Sequence, residues 1–434
     1  MGDDDNDPNT PSVIASRRRE ILRHPAFALF WSASSIRAFG SAISGVAFNV
    51  LIVSVLHASA AQISILSALS VVPYLFLGLI IGALMDRWRR QRTLVLTSVG
   101  RTIALASIPV LILTNTLSFW SVAIVTLVLG VLVLFAHSAE QPLLPRIVPR
   151  EALVVANARL GQIETVAGTA GPALGGGLLN LLGAPLLFVF DAIFTAVSAV
   201  LQSRIKVDEP KAGPREPGRH IGHDIAEGMR YTYTHRTLRP LALSIHTWFL
   251  GNSIVATVFA VFVLRQLRLQ PWEYGLALTF GGAGGFLGAL IAPRLGAWLG
   301  AGRAIFLARA LVVVPWLALA VLPVNVASGG FVLVTLVAAA QFLYCLSMGI
   351  EDPNDTGYRQ SVAPDAIQGR MNSTIRTINR VVFFFGALLT GVLATLLGYR
   401  VTIGIGAAIF LVAALIVLFS PLFAARHDDQ PANA

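Results

Sequence analysis

The sequence is poor in charge, in cysteine and in lysine. Only 12% of its 434 residues are Asp, Glu, Lys or Arg, whereas soluble domains carry about 25%, so a water-soluble globular protein is excluded. The single cysteine, Cys345, cannot build a disulfide scaffold or a thiolate metal cluster within the chain. The two lysines, Lys206 and Lys211, do not follow a glycine, so there is no Walker A loop to bind ATP phosphates. We therefore expect no metal, no cofactor and no enzymatic activity.

What the sequence contains instead is long apolar runs, with 55% hydrophobic residues and a mean hydropathy of +0.73. A helix needs about 20 apolar residues to cross a bilayer core of about 30 Å. Runs of this kind predict an all-α integral membrane protein of twelve transmembrane helices in two sets of six. We place them at 27–55, 62–84, 93–113, 119–140, 157–182, 185–201, 241–264, 274–299, 304–324, 329–352, 370–397 and 401–423.

The positions of arginine and lysine predict the orientation of these helices. Cytoplasmic loops carry an excess of both residues, and the odd-numbered breaks here hold only Arg265, Arg268 and Arg400. The net charge of +10 is spread over several loops, so it indicates topology and not a nucleic-acid partner. Both termini are predicted to be cytoplasmic. The domains are then a tail at 1–26, a six-helix bundle at 27–201, a central loop at 202–240, a second bundle at 241–423 and a tail at 424–434. The central loop is expected to be a solvated connector, and the alternative is that its end, from Asp224 to Thr237, forms a short helix at the membrane surface.

Similar residues recur at a fixed spacing in the two halves of the chain. Glu140 ends the fourth predicted helix, and Glu351 ends the tenth, 211 positions later. Farther along, the spacing becomes 215, as between Gly171 and Gly386, and an insertion of four residues after Pro353 accounts for the change. The pattern indicates an internal duplication with six helices in each half.

The end of the second predicted helix carries the first motif that indicates a family. Gly82 is followed by Asp86 and Arg87, and then by clustered basic residues that include Arg90. Glycine lets helices approach closely, and the carboxylate can meet a helix N-terminus. The segment resembles the signature loop of the major facilitator superfamily, whose transporters consist of two six-helix halves related by a parallel repeat. The resemblance implies that these four residues form a latch between the halves, although Arg89 stands where the family usually has glycine.

The fifth predicted helix carries a second motif, made by Gly171, Pro172, Gly175 and Gly176. A proline inside a helix removes a backbone hydrogen bond and bends it, and nearby glycines allow close packing at the bend. The motif resembles the antiporter motif of the superfamily, which is associated with exporters more than with importers. The alternative is an ordinary packing helix with a kink.

Three loops narrow the resemblance to one branch of the superfamily. Segments 144–158, 224–231 and 364–370 are similar to loops of exporters related to the enterobactin exporter and the macrolide-efflux proteins. The first helix has Gly40-Ser41 where many relatives have Gly-Asp, so proton coupling and its absence both stay open.

Ionisable residues inside predicted helices are the candidates for proton coupling, because a charge within a bilayer is costly and is usually functional. Glu164 is predicted to carry a proton, with partial burial of its carboxyl; its alternative role is a fixed ion pair with Arg37 or another arginine. Arg37, Glu140 and Glu351 are further candidates. The alternative role of the two glutamates is structural, as helix N-caps or as loop partners of Arg146 and Arg359.

By resemblance, the first, fourth, seventh and tenth helices line a mostly apolar central cavity. Polar and aromatic side chains on these helices are the candidates for contact with the transported molecule: Phe39, Phe48, His137, His246, Trp248, Asn252 and Tyr344.

These features predict a monomeric transporter in the bilayer of a bacterial cytoplasmic membrane. It would export a hydrophobic or amphipathic small molecule, such as a drug, a macrolide or a siderophore, by alternating access driven by a proton gradient. The alternatives are an uncoupled or inward facilitator for a small metabolite and, in another class, a sensor or membrane partner that does not transport. A membrane enzyme acting on lipid is disfavoured, because no cluster of catalytic polar residues is present.

Overall fold

The computed structural model describes residues 24–85, 88–149, 152–207, 221–322 and 330–426, and within them it contains no β-strand. It confirms the predicted all-α class. Eleven α-helices lie in the described part of the chain: α1 Pro25–Val50, α2 Ala60–Met85, α3 Arg90–Leu113, α4 Phe119–Ile147, α5 Leu153–Ser203, α6 Ile221–Thr234, α7 Leu238–Val261, α8 Pro271–Leu299, α9 Ala301–Val321, α10 Gly330–Val362 and α11 Asp365–Leu418.

Ten of the helices in the described residues are long and apolar enough to cross a membrane. Two of them, α5 and α11, have 51 and 54 residues, and each contains one glycine with non-helical backbone angles. These glycines are Gly183 and Gly398. If each of these two helices is counted as two spans divided at its glycine, the number of spans rises from ten to the twelve predicted from the sequence. The count of twelve stays a prediction.

Two helices extend beyond their predicted ends because they continue through proline. The α4 helix reaches Ile147 and includes Pro142 and Pro145, whereas α10 reaches Val362 and includes Pro353. The sequence analysis ended both helices just before these prolines. A proline costs one backbone hydrogen bond, and neighbouring helices in a membrane protein can compensate for that loss.

The local backbone repeats with the spacings of the sequence duplication. A π-helical turn follows α1 at Leu51–Val55, and another follows α7 at Phe262–Gln266, 211 positions later. Gly183 has φ 77° and ψ 163°, and Gly398, 215 positions later, has φ 78° and ψ 166°. The two halves of the chain therefore share irregular features as well as helices.

The chain forms two compact units. Unit 1 comprises Met1–Ala47 and Phe76–Pro214, and unit 2 comprises Phe48–Leu75 and Arg215–Ala434. In unit 1, α3 packs against α4 and α5. In unit 2, α8 packs against α10, α7 against α11, and α9 against both α10 and α11.

Unit 2 includes residues 48–75, which the sequence analysis placed in the first bundle. The guanidinium of Arg265 donates hydrogen bonds to the backbone carbonyls of Val53 and Ala58. The hydroxyl of Ser64 donates to the carbonyl of Ala387. These contacts attach the end of α1 and the start of α2 to unit 2.

The end of the central loop forms the helix α6, which was the alternative to a solvated connector, and α6 packs against α11 in unit 2. Glu227 pairs with Arg370. The phenol of Tyr233 lies 2.6 Å from Nε2 of His246. Burial raises the pKa of Tyr233, so its hydroxyl stays protonated at neutral pH and can donate to the ring nitrogen.

Alanine at Gly398 is expected to destabilise the protein by about 1–3 kcal/mol, because its backbone angles lie in a region that only glycine adopts readily. The matched control is Gly404→Ala on the same helix, where the nearest neighbouring atom to an added methyl group is Ala320 Cβ at 3.7 Å. Thermal unfolding of the detergent-purified variants should show a lower midpoint for Gly398→Ala alone. Equal midpoints would contradict the strain argument.

Candidate functional site

A cavity of about 490 Å³ lies in unit 1 among α1, α3, α4 and α5. Its wall carries Arg37 of α1, Arg101 of α3, Glu140 of α4 and Glu164 of α5. The predicted cavity residue His137 also lines it. Apolar side chains share the wall with both signs of charge, and the mostly apolar central cavity of the sequence analysis stays a prediction.

An ion pair joins α1 to α4 at the cavity wall. Nη2 of Arg37 lies 2.9 Å from Oε1 of Glu140, and the two side chains are 17% and 18% exposed. The hydroxyl of Ser34 donates to the same oxygen at 3.2 Å. The expected partner of Glu140 was an arginine of the following loop, and this expectation was wrong. The correct partner comes from another helix because α4 continues past Glu140 for two more turns.

A second charged pair joins α3 to α5. Nη2 of Arg101 lies 3.6 Å from Oδ2 of Asp191 and donates a hydrogen bond of 2.6 Å to the hydroxyl of Ser41. Asp191 is only 1% exposed and accepts a hydrogen bond of 2.6 Å from Ser44 of α1. Asp191 of α5 thus contacts Ser44 of α1 and Arg101 of α3, so its charge links three helices and stabilises their packing.

Glu164 differs from the other two carboxylates of this group. It lines the cavity and is exposed, not partly buried as predicted. No ion pair to it is found among the described residues. Its predicted alternative partner, Arg37, is already paired with Glu140. The carboxylate of Glu164 therefore lies in the cavity wall without an ion-pair partner among the described residues.

The glycines of the antiporter motif allow α5 to contact α1. A methyl group on Gly171 would collide with the side chain of Ala42, and one on Gly175 would lie 2.7 Å from the carbonyl oxygen of Ile43. Pro172 lies within the helix, and Gly183 is the residue of α5 whose backbone is non-helical. Close packing of α5 on α1 brings Glu164 into the wall of the cavity that Arg37 and Glu140 also line.

Unit 2 contains a buried charged group that corresponds in part to that of unit 1. Arg309 of α9 is fully buried, and its Nη2 lies 3.0 Å from Oε1 of Glu351 of α10. Arg359 pairs with Asp355 at 2.7 Å. The expected loop partner of Glu351 was Arg359, so that expectation was wrong. Glu351 lies about two helical turns before Arg359 on α10. Asp355 lies four residues before the arginine, on the same face one turn away.

The other predicted cavity residues are engaged elsewhere. In unit 2, the two ring nitrogens of His246 lie 2.6 Å from Tyr233 and Asn379, and the phenol of Tyr344 donates to Asn252 at 2.6 Å. The remaining three predicted residues pack against protein. Trp248 is buried against Phe249 and Phe410, Phe39 packs beside Ile163 and Ala167, and Phe48 is half-buried.

The predicted latch is only partly described. Gly82 lies in α2, and Arg90 is the first residue of α3. Asp86 and Arg87 lie outside the described residues. The latch therefore stays a prediction. Among the residues that the structure describes, no cluster of three His, Cys, Asp or Glu side chains could hold a metal ion.

Sequence reasoning missed Arg101 and Arg309. Each is a single arginine inside an otherwise apolar predicted helix, and this was the signal that could have identified both. They were passed over because their carboxylate partners lie far away in the sequence, at Asp191 and Glu351.

Comparison with known proteins identifies the class. Residues 20–434 match the family of major facilitator proteins described as transmembrane secretion effectors. The chain belongs to this family, which confirms the resemblance seen in its loop motifs.

The individual relatives share only a low sequence identity with this chain. The multidrug efflux pump Tap of Mycobacterium bovis is 27% identical over 293 residues, which are 63% of this chain and 66%, just under two thirds, of the pump. Macrolide efflux protein A of Streptococcus pyogenes is 20% identical over 86% of this chain and 90% of that protein. A bacterial homologue of the human lysosomal transporter Spinster, solved in an inward-facing and unoccupied conformation, has a TM-score of 0.67 at 16% identity and covers 96% of this chain and 99% of its own. This structural similarity shows that the chain has the same fold as that transporter.

Proposed function

We propose that this multi-pass membrane protein exports an amphipathic organic molecule from a bacterial cell in exchange for protons. It would work as a monomer in the cytoplasmic membrane, with both termini in the cytoplasm, by alternating access of a central cavity. The names of its relatives, a multidrug efflux pump and a macrolide efflux protein, support a drug or macrolide as cargo. A siderophore-like cargo is consistent with the sequence resemblance to the enterobactin exporter.

The observation that carries the proposal is the charge arrangement in the cavity of unit 1. Arg37 is paired with Glu140, and Arg101 lies beside Asp191. Glu164 lines the same cavity without an ion-pair partner among the described residues. A carboxylate that is not neutralised by the protein can be neutralised by a proton, and that proton can leave when the cavity faces the other side.

This arrangement supports an exchange mechanism. A proton that enters from the outside would neutralise Glu164, and release of the proton to the cytoplasm would restore its charge before cargo binds. The two arginine pairs would stay fixed during this exchange, so that only one group in the cavity changes charge. Exchange requires that the two ligands bind the carboxylate region in turn and not together.

Replacement of Glu164 by glutamine tests the proposal. In inside-out membrane vesicles, an acidic interior should stimulate uptake of a radiolabelled macrolide by the wild-type protein. We expect Glu164→Gln to remove this stimulation completely, because the amide cannot bind and release a proton near neutral pH. Glu164→Asp keeps the carboxylate and should retain part of it.

The matched control is Thr165→Val, a similar-sized change at the next residue of α5, whose hydroxyl donates to the carbonyl of Gly161. This variant should transport like the wild type. Wild-type uptake that ignores the gradient would favour an uncoupled facilitator. Macrolide binding without uptake would favour a sensor that does not transport. Either result would overturn the proposed function.

A further inference from the structure

We propose that Glu351 and Asp355 form a second proton-binding site, in unit 2, in which the two carboxylates share one proton between Arg309 and Arg359. The inference adds a titrating site to the proposed function, which so far uses only Glu164 of unit 1.

The first half of the site is built around Glu351. Nε of Arg309 donates to Oε1 of Glu351 at 3.1 Å, and Nη2 lies 3.0 Å from the same oxygen. Nη1 of Arg309 contacts the hydroxyl of Ser244 on α7, which orients the guanidinium. The other oxygen, Oε2, is buried and has no hydrogen-bond partner among the described residues. Glu351 is 7% exposed, so this oxygen is withdrawn from solvent within the protein.

The second half repeats this arrangement one turn farther along α10. Nη2 of Arg359 donates to Oδ2 of Asp355 at 2.7 Å, and Nη1 donates to the side chain of Asn372 at 2.6 Å. Oδ1 of Asp355 is buried and, in the described part of the chain, also lacks a partner. Residues four apart on a helix lie on the same face. Glu351 and Asp355 therefore each give one oxygen to an arginine and keep one oxygen unused.

The charges of this group do not balance. Asp352, an exposed neighbour on the same helix, adds a third carboxylate whose charge acts on Asp355 and on both arginines. The group therefore has three acidic side chains and two arginines. The other titratable side chains near the group are His246, which lies close to Arg309, and Tyr344, which lies close to Glu351. His246 is held between Tyr233 and Asn379. One excess negative charge in a transmembrane helix is costly, and a single bound proton brings the group to neutrality.

The consequence for transport is a second coupled proton. With Glu164 in unit 1 and the Glu351–Asp355 pair in unit 2, one transport cycle could exchange cargo for two protons. This consequence rests on the proposed function. The proton site itself can be tested without transport, so the two ideas can fail separately.

Infrared spectroscopy of the full-length protein in lipid provides the test, because protonated carboxyl groups have their own C=O stretching band. The test starts from Glu164→Gln, so that the proton carrier of unit 1 does not contribute. Between about pH 6 and about pH 9, where most other carboxyls are already ionised, this protein should lose a band equivalent to one carboxyl. We expect the addition of Asp355→Asn to abolish this loss even though Glu351 remains, because two carboxylates then balance two arginines. Glu351→Gln should have the same effect. Both changes are nearly isosteric, and either one alone provides the test if the other does not fold.

A matched control separates this site from others. In the same Glu164→Gln protein, addition of Glu273→Gln, which alters the capping carboxylate at the start of α8, should leave the titrating band unchanged. The proposal is overturned if folded protein with Asp355→Asn or Glu351→Gln added titrates like Glu164→Gln alone. It is also overturned if Glu164→Gln alone shows no titrating carboxyl band in this range.

Discussion

A double change of Gly171 and Gly175 to alanine is expected to abolish transport and to lower the stability of the protein substantially. Each added methyl group would be forced against α1, at Ala42 and at the backbone of Ile43. Overpacking of this kind typically costs about 1–3 kcal/mol per site. Backbone atoms of Ile43 cannot rotate away as a flexible side chain could, so α5 must move away from α1 and carry Glu164 with it.

Gly168→Ala and Gly177→Ala provide the matched control on the same helix. An added methyl group at either position meets no atom within 4 Å. Alanine is also the better helix former by about 0.5–1 kcal/mol, so this pair should be neutral or slightly stabilising. The measurement is thermal unfolding in detergent, together with macrolide uptake into vesicles. If both double variants behave alike, close packing of α5 on α1 is not what the motif provides.

Replacement of Arg309 by methionine is the second change with a large expected effect. It would leave Glu351 as a buried charge without its arginine, and breaking a buried ion pair in this way costs about 3–5 kcal/mol. Purified Arg309→Met should therefore unfold at a much lower temperature than the wild type, or fail to accumulate in the membrane. Adding Glu351→Gln should recover part of the loss, because it removes the unpaired charge.

Arg303→Met on the same helix is the control for loss of an arginine alone. Arg303 is exposed, and its guanidinium lies 5.7 Å from the ring centre of Phe423. An exposed contact of this type is worth about 0.5–1 kcal/mol. A stability loss as large as that of Arg309→Met, or the absence of rescue by Glu351→Gln, would contradict the role assigned to the buried pair.

The helices could be predicted from the sequence because the length of an apolar run depends only on local composition. The predicted helix ends were wrong where a proline, which favours the end of a helix, lies at the end of an apolar run. The sequence analysis treated Pro142 and Pro353 as helix ends, whereas α4 and α10 continue through both. The duplication could also be read in advance, and its spacings reappear in the backbone at Gly183 and Gly398.

The candidate site could be predicted only in part. Arg37, Glu140, Glu164 and His137 were identified, and the structure brings them to one cavity in unit 1. Their pairing could not be predicted, because the partner of a charge depends on how each helix is rotated about its axis. In unit 1, close packing at glycines such as Gly175 sets the rotation of the helix. The spacing of charged residues along the sequence does not predict this rotation.

The same limit explains the residues predicted to contact cargo in unit 2. Trp248 and Tyr344 were selected because aromatic side chains suit amphipathic ligands. In the structure, Trp248 packs against Phe410, and the ring of Tyr344 lies 5.2 Å from that of Trp316. An aromatic residue on an apolar helix is equally suited to core packing, and composition alone does not separate the two uses.

Reciprocal exchange in proteoliposomes tests the central claim most directly. Purified protein would be reconstituted in vesicles that contain a macrolide and a pH-sensitive dye, with the same pH on both sides and no macrolide outside. An exchanger predicts that the interior acidifies as the macrolide leaves, and that vesicles containing Glu164→Gln do not acidify. Macrolide efflux at constant internal pH, or with a rise in internal pH, would contradict exchange of cargo for protons.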